Sequence, residues 1–345
     1  MESREYWIKR ANERIEISIK KSDEISKEIW KAYISTSKYI NEEIKSIVKN
    51  FKELGILSEK EAYKLLKNAY DEVSVKKLRK VFSKIIDEDK RMEALRIINA
   101  PAYNHRIERL NRLLKDIETK TKELNNFTEE KMTKAFLDIF SDTYDKAIFD
   151  IQKGVGFRFA YSYMSVERIN SILKNEWSGK NYSQIIWENT KKLSREIKNE
   201  LMISVMSGRS YIKTSAAIND KFSAGAYNSL RLVRTESNYI AGQAELESYK
   251  ECGIDKYVFI ATLDMKTSSI CASLDGKEFY VKDAQPGINC NPMHPNCRST
   301  TAALINKIGL EKMKRSAKDP VTGKLYKVPK NMTYSQWKKV NQHYA

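Results

Sequence analysis

The first hundred residues hold no proline and one glycine, Gly55. These two residues are the main breakers of regular structure, so a stretch without them can only be long helix if its apolar residues repeat at the helical period. They do. Ile40, Ile44, Ile47, Val48 and Phe51 fall on one stripe, and the pattern predicts a helix over 6–51 that stops at Gly55. Ser58 with Glu61 three residues later forms a capping-box pair. It opens a helix whose buried stripe is Ala62, Leu65, Leu66, Ala69, Tyr70 and Val73.

Asn99-Ala100-Pro101 marks a break, after which helices are expected over 106–122 and 128–152, with Gly154 and Gly156 at the next junction. The run 177–183 reads as a turn into a helix carrying Leu193, Ile197, Leu201 and Val205, ended by Ser207-Gly208. A further helix over 224–252 carries Leu230, Val233, Ile240 and Ala244, and Gly253 caps it. The character then changes. Residues 256–261 and 277–281 are β-branched and aromatic, and Asp275-Gly276 is a hairpin turn signal between them. Residues 285–301, rich in Pro, Asn and Cys, read as ordered loop. A short helix is expected after Asn306, a turn at 319–323, and a last helix from about Thr333.

The fold class that follows is mainly α, built of long helices, with a small C-terminal α+β module containing a β-hairpin and a loop that zinc could staple. The organisation reads as a helical arm over 1–155, a second helical part over 156–253, a hairpin and Cys/His loop over 254–305, and a tail over 306–345.

The charge balance bears on partners. Sixty-two Lys and Arg against 45 Asp and Glu give +17, an excess that favours polyanions such as double-stranded DNA. Many lysines stand beside Glu at helical spacing, so a solvated helix surface accounts for the same composition equally well. No single residue is assigned to DNA from sequence. No apolar run reaches the roughly 18 residues of a membrane span, and the N-terminus lacks the basic start and apolar core of a secretory signal. A protein kept in the cytoplasm is expected.

Three of the four cysteines cluster near one histidine. Cys271 is followed after eighteen residues by Cys290, after three more by His294, and after two more by Cys297. Three thiols and an imidazole are a closed tetrahedral set suited to structural zinc. The paired C-x-x-C of common zinc knuckles is missing, so ordinary buried thiols beside a loop histidine remain open as the other reading. HExxH, Walker A, GxGxxG and GxSxG patterns are absent, as is the zinc-deaminase signature, which speaks against common enzyme classes. On the helix at 231–236, Arg234 and Glu236 stand two apart and cannot face each other, so each should reach a neighbouring element. The five tryptophans are read as core or interface anchors ahead of nucleic-acid stacking.

Taken in order, Arg231-Leu232-Val233-Arg234-Thr235-Glu236, Gly253-Ile254, Asp264-x-Lys266-Thr267, Cys271, Leu274-Asp275-Gly276-Lys277 and His294-Pro295-Asn296-Cys297-Arg298 resemble the phage head-morphogenesis family. That family includes protein F of phage Mu and minor head proteins of phages of Gram-positive hosts. The matched core runs over about 177–301, and the flanks Tyr6-Trp7-x-Lys9-Arg10 and Met332-Thr333-Tyr334-x-x-Trp337 extend it. The resemblance implies structural roles for Arg234, Thr235, Glu236, Asp264, Asp275, Gly276, Pro295 and Arg298. It implies a virion protein in the capsid interior, present in few copies. Its partners would be portal, scaffold or major capsid protein, and it would have roles in head assembly, genome binding and DNA delivery. The family has a C-x-x-C pair where this chain has Ser268-Ser269-Ile270-Cys271. Either Cys290 replaces the lost thiol, or the fold does without metal there. Rival readings are a nucleic-acid-binding regulator outside capsids, for which no convincing helix-turn-helix is present, or an enzyme or toxin-related protein using the Cys/His module. Some family members carry a fused toxin or transferase domain, but little more than a short tail follows Thr301, so none is expected downstream.

Overall fold

The computed structural model describes residues 4–51, 55–67, 75–156, 161–305, 314–318 and 325–329. Helices dominate. They are α1 (Arg4–Asn50), α2 (Glu59–Lys67), α3 (Val75–Phe82), α4 (Glu88–Asn99), α5 (Asn104–Val155), α6 (Val166–Leu173), α7 (Tyr182–Ser207), α8 (Tyr211–Glu251) and the short α9 (Ser269–Leu274). A three-stranded antiparallel sheet of β1 (Lys256–Ile260), β2 (Glu278–Tyr280) and β3 (Thr300–Ala303) has the order β2-β1-β3. A separate antiparallel pair joins β4 (Lys314–Lys318) to β5 (Leu325–Pro329). The expected fold class, long helices with a small α+β module, is what the chain forms.

The local signals explain the element ends. Ser58 and Glu61 make the reciprocal capping box, with Ser58 N donating to Glu61 Oε2 at 2.8 Å and Glu61 N donating to Ser58 Oγ at 3.3 Å. Asp87 caps α4 through Lys90 N, and Ala100-Pro101 ends it. Gly208 and Gly253 close α7 and α8 with φ of +63° and +68°, the left-handed conformation that a C-terminal glycine supplies without strain.

Several expectations are corrected. The helices expected over 106–122 and 128–152 are one 52-residue helix, α5. Thr128, expected to open the second of these helices, lies inside α5, and its hydroxyl bonds back to Leu124 O at 2.8 Å. The helix expected from 224 starts thirteen residues earlier, at Tyr211. The segments 256–261 and 277–281 do pair (Lys256↔Tyr280, Tyr257↔Phe279, Val258↔Glu278), but not as a tight hairpin, since α9 lies between them. Thr300 and Thr301, read as the end of the loop over 285–301, open the third strand, paired Tyr257↔Ala303 to Ile260↔Thr300. Where a short helix was expected between Asn306 and the turn at 319–323, the described residues 314–318 are the strand β4; the rest of that segment, the turn and the helix from Thr333 lie outside the described residues.

The chain forms two compact units from discontinuous segments. One comprises 27–131 and 183–230. Its core holds Ile29, Tyr33, Ile40, Ile44, Phe51, Phe82, Leu110, Ile117, Ile197, Leu201, Ile218 and Phe222, all buried. Within it the Tyr33 hydroxyl meets Ser229 Oγ at 2.8 Å, and Gly225 leaves room for the Tyr33 ring.

The other unit comprises 1–26, 132–182 and 231–345. Its core holds Trp7, Phe136, Phe140, Tyr144, Val233, Ile240, Tyr257, Val258 and Phe259. A charged network crosses this core. Arg14 donates to Glu245 through Nε at 2.6 Å and through Nη2 at 3.0 Å, and through Nη1 to Asp150. Tyr249 donates to Glu245 Oε2 at 3.1 Å or to Thr301 O at 3.0 Å. These contacts fix the registers of α1, α5, α8 and β3 against one another, since each ion is buried and satisfied only in this arrangement. Among the described residues no helix is long and apolar enough to cross a membrane.

Candidate metal centre

The loop from β2 to β3 and helix α9 bring three of the four expected ligands together. Cys271, His294 and Cys297 place one ligand atom each within 4.8 Å of one another. Cys271 Sγ lies 3.3 Å from His294 Nε2 and 3.8 Å from Cys297 Sγ. A tetrahedral zinc ion, with Zn–S of about 2.3 Å and Zn–N of about 2.0 Å, holds two sulfurs about 3.8 Å apart and a sulfur and nitrogen about 3.5 Å apart. The three atoms therefore stand at metal-ligand spacing, and the group could hold a metal ion. Cys290, expected as the fourth ligand, is not in the group. It is buried after the bridge to Pro286, and burial alone pushes its thiol up to about 12.

Each ligand is positioned by local chemistry. Ser268 caps α9, its Oγ accepting from Cys271 N at 3.2 Å, so the cap sets the first thiol at the start of the helix. His294-Pro295-Asn296-Cys297 is a β-turn closed by Cys297 N donating to His294 O at 3.1 Å. Pro295 takes the position where its fixed φ fits. Asn296 follows with φ +59°, a conformation Asn adopts more readily than most residues. His294 Nδ1 is 2.9 Å from the Pro295 carbonyl. A nitrogen that donates there carries the proton, which leaves the Nε2 lone pair turned to Cys271, as a ligating histidine requires. The neighbouring thiol of Cys297 lowers Cys271 to about 5, helped by Ser268, Ser299 and His294, while the same contact raises Cys297. One thiolate is thus already favoured in the metal-free fold, and binding an ion would call for the second.

The family-motif residues fasten this loop to the rest of its unit. Thr235 Oγ1 on α8 accepts from Asn296 N at 3.1 Å. Asn291 Nδ2 donates to Asn238 O and Oδ1 at 3.0 and 2.9 Å, and Asn238 Nδ2 donates to Ser299 O at 3.0 Å. A Cβ at Gly242 would stand 2.8 Å from Asn291 Nδ2, so only glycine lets the loop lie this close to α8. Arg298 clasps Asp264 with two nitrogens, lowering the Asp264 carboxyl far below its usual range. Asp275 Oδ1 accepts from Ala261 N at 2.8 Å, and Gly276, at φ +75°, donates to Phe259 O at 2.9 Å. Arg234 reaches Asp23 of α1 at 3.0 Å, and Glu236 accepts from the Trp177 indole at 3.2 and 3.3 Å. Sequence reasoning missed Gly242, Asn238 and Asn291. Their signal, small or amide residues on one face of α8 and in the Cys-rich loop, has no meaning until the loop is seen to lie on that helix.

Residues 195–302 match the protein family described as "Phage Mu protein F like protein". That span runs from α7 to β3 and contains every motif residue above, so the resemblance to the phage head-morphogenesis family is shown for this stretch. The chain is also 28% identical over 148 residues to the NAD(+)–arginine ADP-ribosyltransferase EFV of Enterococcus faecalis, a match over 39% of this chain and 30% of that protein. The chain thus spans about a third of the length of the curated relative it matches. No solved structure matches.

Proposed function

We propose that this protein is a minor head protein of a tailed bacteriophage and has no enzymatic activity of its own. It enters the procapsid in few copies near the portal, contacts portal, scaffold or coat protein, binds packaged DNA without sequence preference, and aids head assembly and DNA delivery. The observation that carries the reading is the family match over 195–302, whose motif residues build one fastened module. The net charge of +17 suits contact with phosphates. The Cys271, His294 and Cys297 group serves as a structural zinc staple for a small sheet with little core of its own.

Co-assembly tests the reading. The chain is expressed with the coat, scaffold and portal proteins of its phage, and the purified procapsids are quantified by mass spectrometry. A few copies per particle, lost when portal or scaffold is omitted, are expected. Complete absence from particles would refute it. The likeness to an ADP-ribosyltransferase raises a second reading, in which the chain transfers ADP-ribose. It predicts NAD consumption by the purified protein, whereas the head-protein reading predicts none. A regulator outside the capsid would instead prefer one DNA sequence over others.

A further inference from the structure

Cys271 and Cys297 are free thiols, and their sulfurs stand 3.8 Å apart. They reach this contact from different elements. Cys271 sits in the first turn of α9, held by the Ser268 cap, and Cys297 closes the turn after Pro295 and Asn296. A disulfide holds its sulfurs about 2.05 Å apart, so each sulfur has to move by only about 0.9 Å, a small rotation of its side chain. The surroundings are apolar. Phe259 and Ala261 are buried together with the two cysteines, and Leu274, Phe279 and Met293 pack against them. Cys271 and Cys297 are 2% and 3% exposed, so an oxidant has to be small to reach them. Cys290 lies outside the group.

We infer that Cys271 and Cys297 form a reversible disulfide with a small peroxide as oxidant, and that this bond takes the same two sulfurs a metal ion would hold. One cysteine sulfur attacks a peroxide oxygen. The O–O bond breaks, the thiol proton leaves with the other oxygen as water, and the cysteine becomes a sulfenic acid. The second sulfur then attacks the first. The S–O bond breaks, and the hydroxyl leaves with the second thiol proton as water. Two thiols and one hydrogen peroxide thus become one disulfide and two waters, the sulfurs losing the two electrons that the peroxide gains. An ion bound through both thiolates blocks the attack, and the disulfide in turn offers the ion no thiolate. The inference deepens the metal site of the proposed function and rests on that reading for the competition alone. On the head-protein reading, a particle built in a reducing cytoplasm and released into an oxidising medium passes from conditions that favour thiols and metal to conditions that favour the bond. The loop on α8 stays tied to α9 in both.

The test uses the full chain, reduced and freed of metal by a chelator. The folded protein is treated with hydrogen peroxide, the remaining thiols are alkylated after denaturation, and the peptides are mapped by mass spectrometry. Two of the four thiols should disappear into a single link between Cys271 and Cys297, and dithiothreitol should restore them. Cys290→Ser should form the same link. Amide exchange over 290–300 should slow in the oxidised protein and recover on reduction. Protein loaded with zinc should lose its thiols about 10-fold or more slowly, because both sulfurs are then bound. Survival of all four thiols, a link that uses Cys252 or Cys290, or oxidation of Cys271 and Cys297 to separate sulfinic acids would overturn the inference. If the metal-free protein forms the link but binds no zinc, the disulfide stands and the zinc staple falls. If zinc binds but peroxide makes no link, the zinc staple stands and the disulfide falls.

Discussion

Glu236 gives the sharpest physical test of the fold around the motif helix. The residue is 4% exposed. Its hydrogen-bond donor is the Trp177 indole, one N–H shared between two oxygens at 3.3 and 3.2 Å. Tyr239 stacks on that indole at 5.1 Å, and its hydroxyl accepts from Asn175 at 3.1 Å. A single neutral donor does not replace the hydration of a carboxylate, so burial pushes Glu236 from 4.5 up to about 7. The native state then holds a proton that the unfolded chain releases first. The contribution of Glu236 to stability is full below about pH 4.5 and falls as pH rises toward 7. At about 1.4 kcal/mol per pH unit the loss reaches at most about 3 kcal/mol by pH 8.

Glu236→Gln keeps the shape and an acceptor for Trp177 but cannot ionise. Its stability advantage over wild type should therefore grow by about 2 kcal/mol between pH 5 and pH 8. Urea unfolding of both proteins at the two pH values measures this difference, and other titrating groups cancel in it. The Trp177 indole N–H resonance should titrate near pH 7 in wild type and stay flat in the variant. An advantage that is the same at both pH values, or a loss that grows with pH, would refute the reasoning.

Removing Arg14 by Arg14→Met strands Glu245 and Asp150 in the core and should cost about 3–5 kcal/mol, read by denaturant unfolding. Gly242→Ala drives a methyl into Asn291 and breaks its bonds to Asn238. A loss of about 1–3 kcal/mol and faster amide exchange over 290–300 are expected, and unchanged exchange would mean the loop does not rest on α8. Zinc titrated into apo protein should release protons and bind at one site. Cys297→Ser or His294→Ala should abolish that binding while Cys290→Ser retains it, and loss in Cys290→Ser would place the fourth ligand at Cys290 after all. Asp264→Asn, at a pair about one-third exposed, should change stability by less than about 1 kcal/mol.

The helical half was legible because its signals are local. The stripe on α1, the Ser58–Glu61 box, and the glycines after α7 and α8 act within one or two turns of where they stand. What failed depended on neighbours distant in the chain. The gap expected between 122 and 128 closes because Leu124, Asn125 and Thr128 are buried within α5. Thr300 and Thr301 look like the end of a loop until the strand they open pairs with Tyr257 to Ile260. Cys290 looks like a ligand because it stands four residues from His294, but spacing along a loop does not say which way the chain turns. The Pro295-Asn296 turn carries Cys297 to Cys271, while Asn291, pinned to α8, belongs to the stretch that takes Cys290 elsewhere. Arg234 and Glu236, two residues apart, were readable as reaching different elements, though Asp23 and Trp177 could not be named.

Ser268, where the resemblance implies a cysteine, has a task of its own in this geometry. Ser268 Oγ accepts from Cys271 N and caps α9, a task at which serine is among the best residues. The residue at this position thus caps the helix that carries Cys271 and adds no thiol to the Cys271, His294 and Cys297 group. The loop opposite is held independently of any ion, by Thr235, Asn238 and Asn291 toward α8 and by Arg298 on Asp264. A metal in this chain would therefore tie together two segments that hydrogen bonds already place at ligand distance. Its removal should loosen 290–300 without unfolding the helices, which sets it apart from zinc modules that have no apo fold.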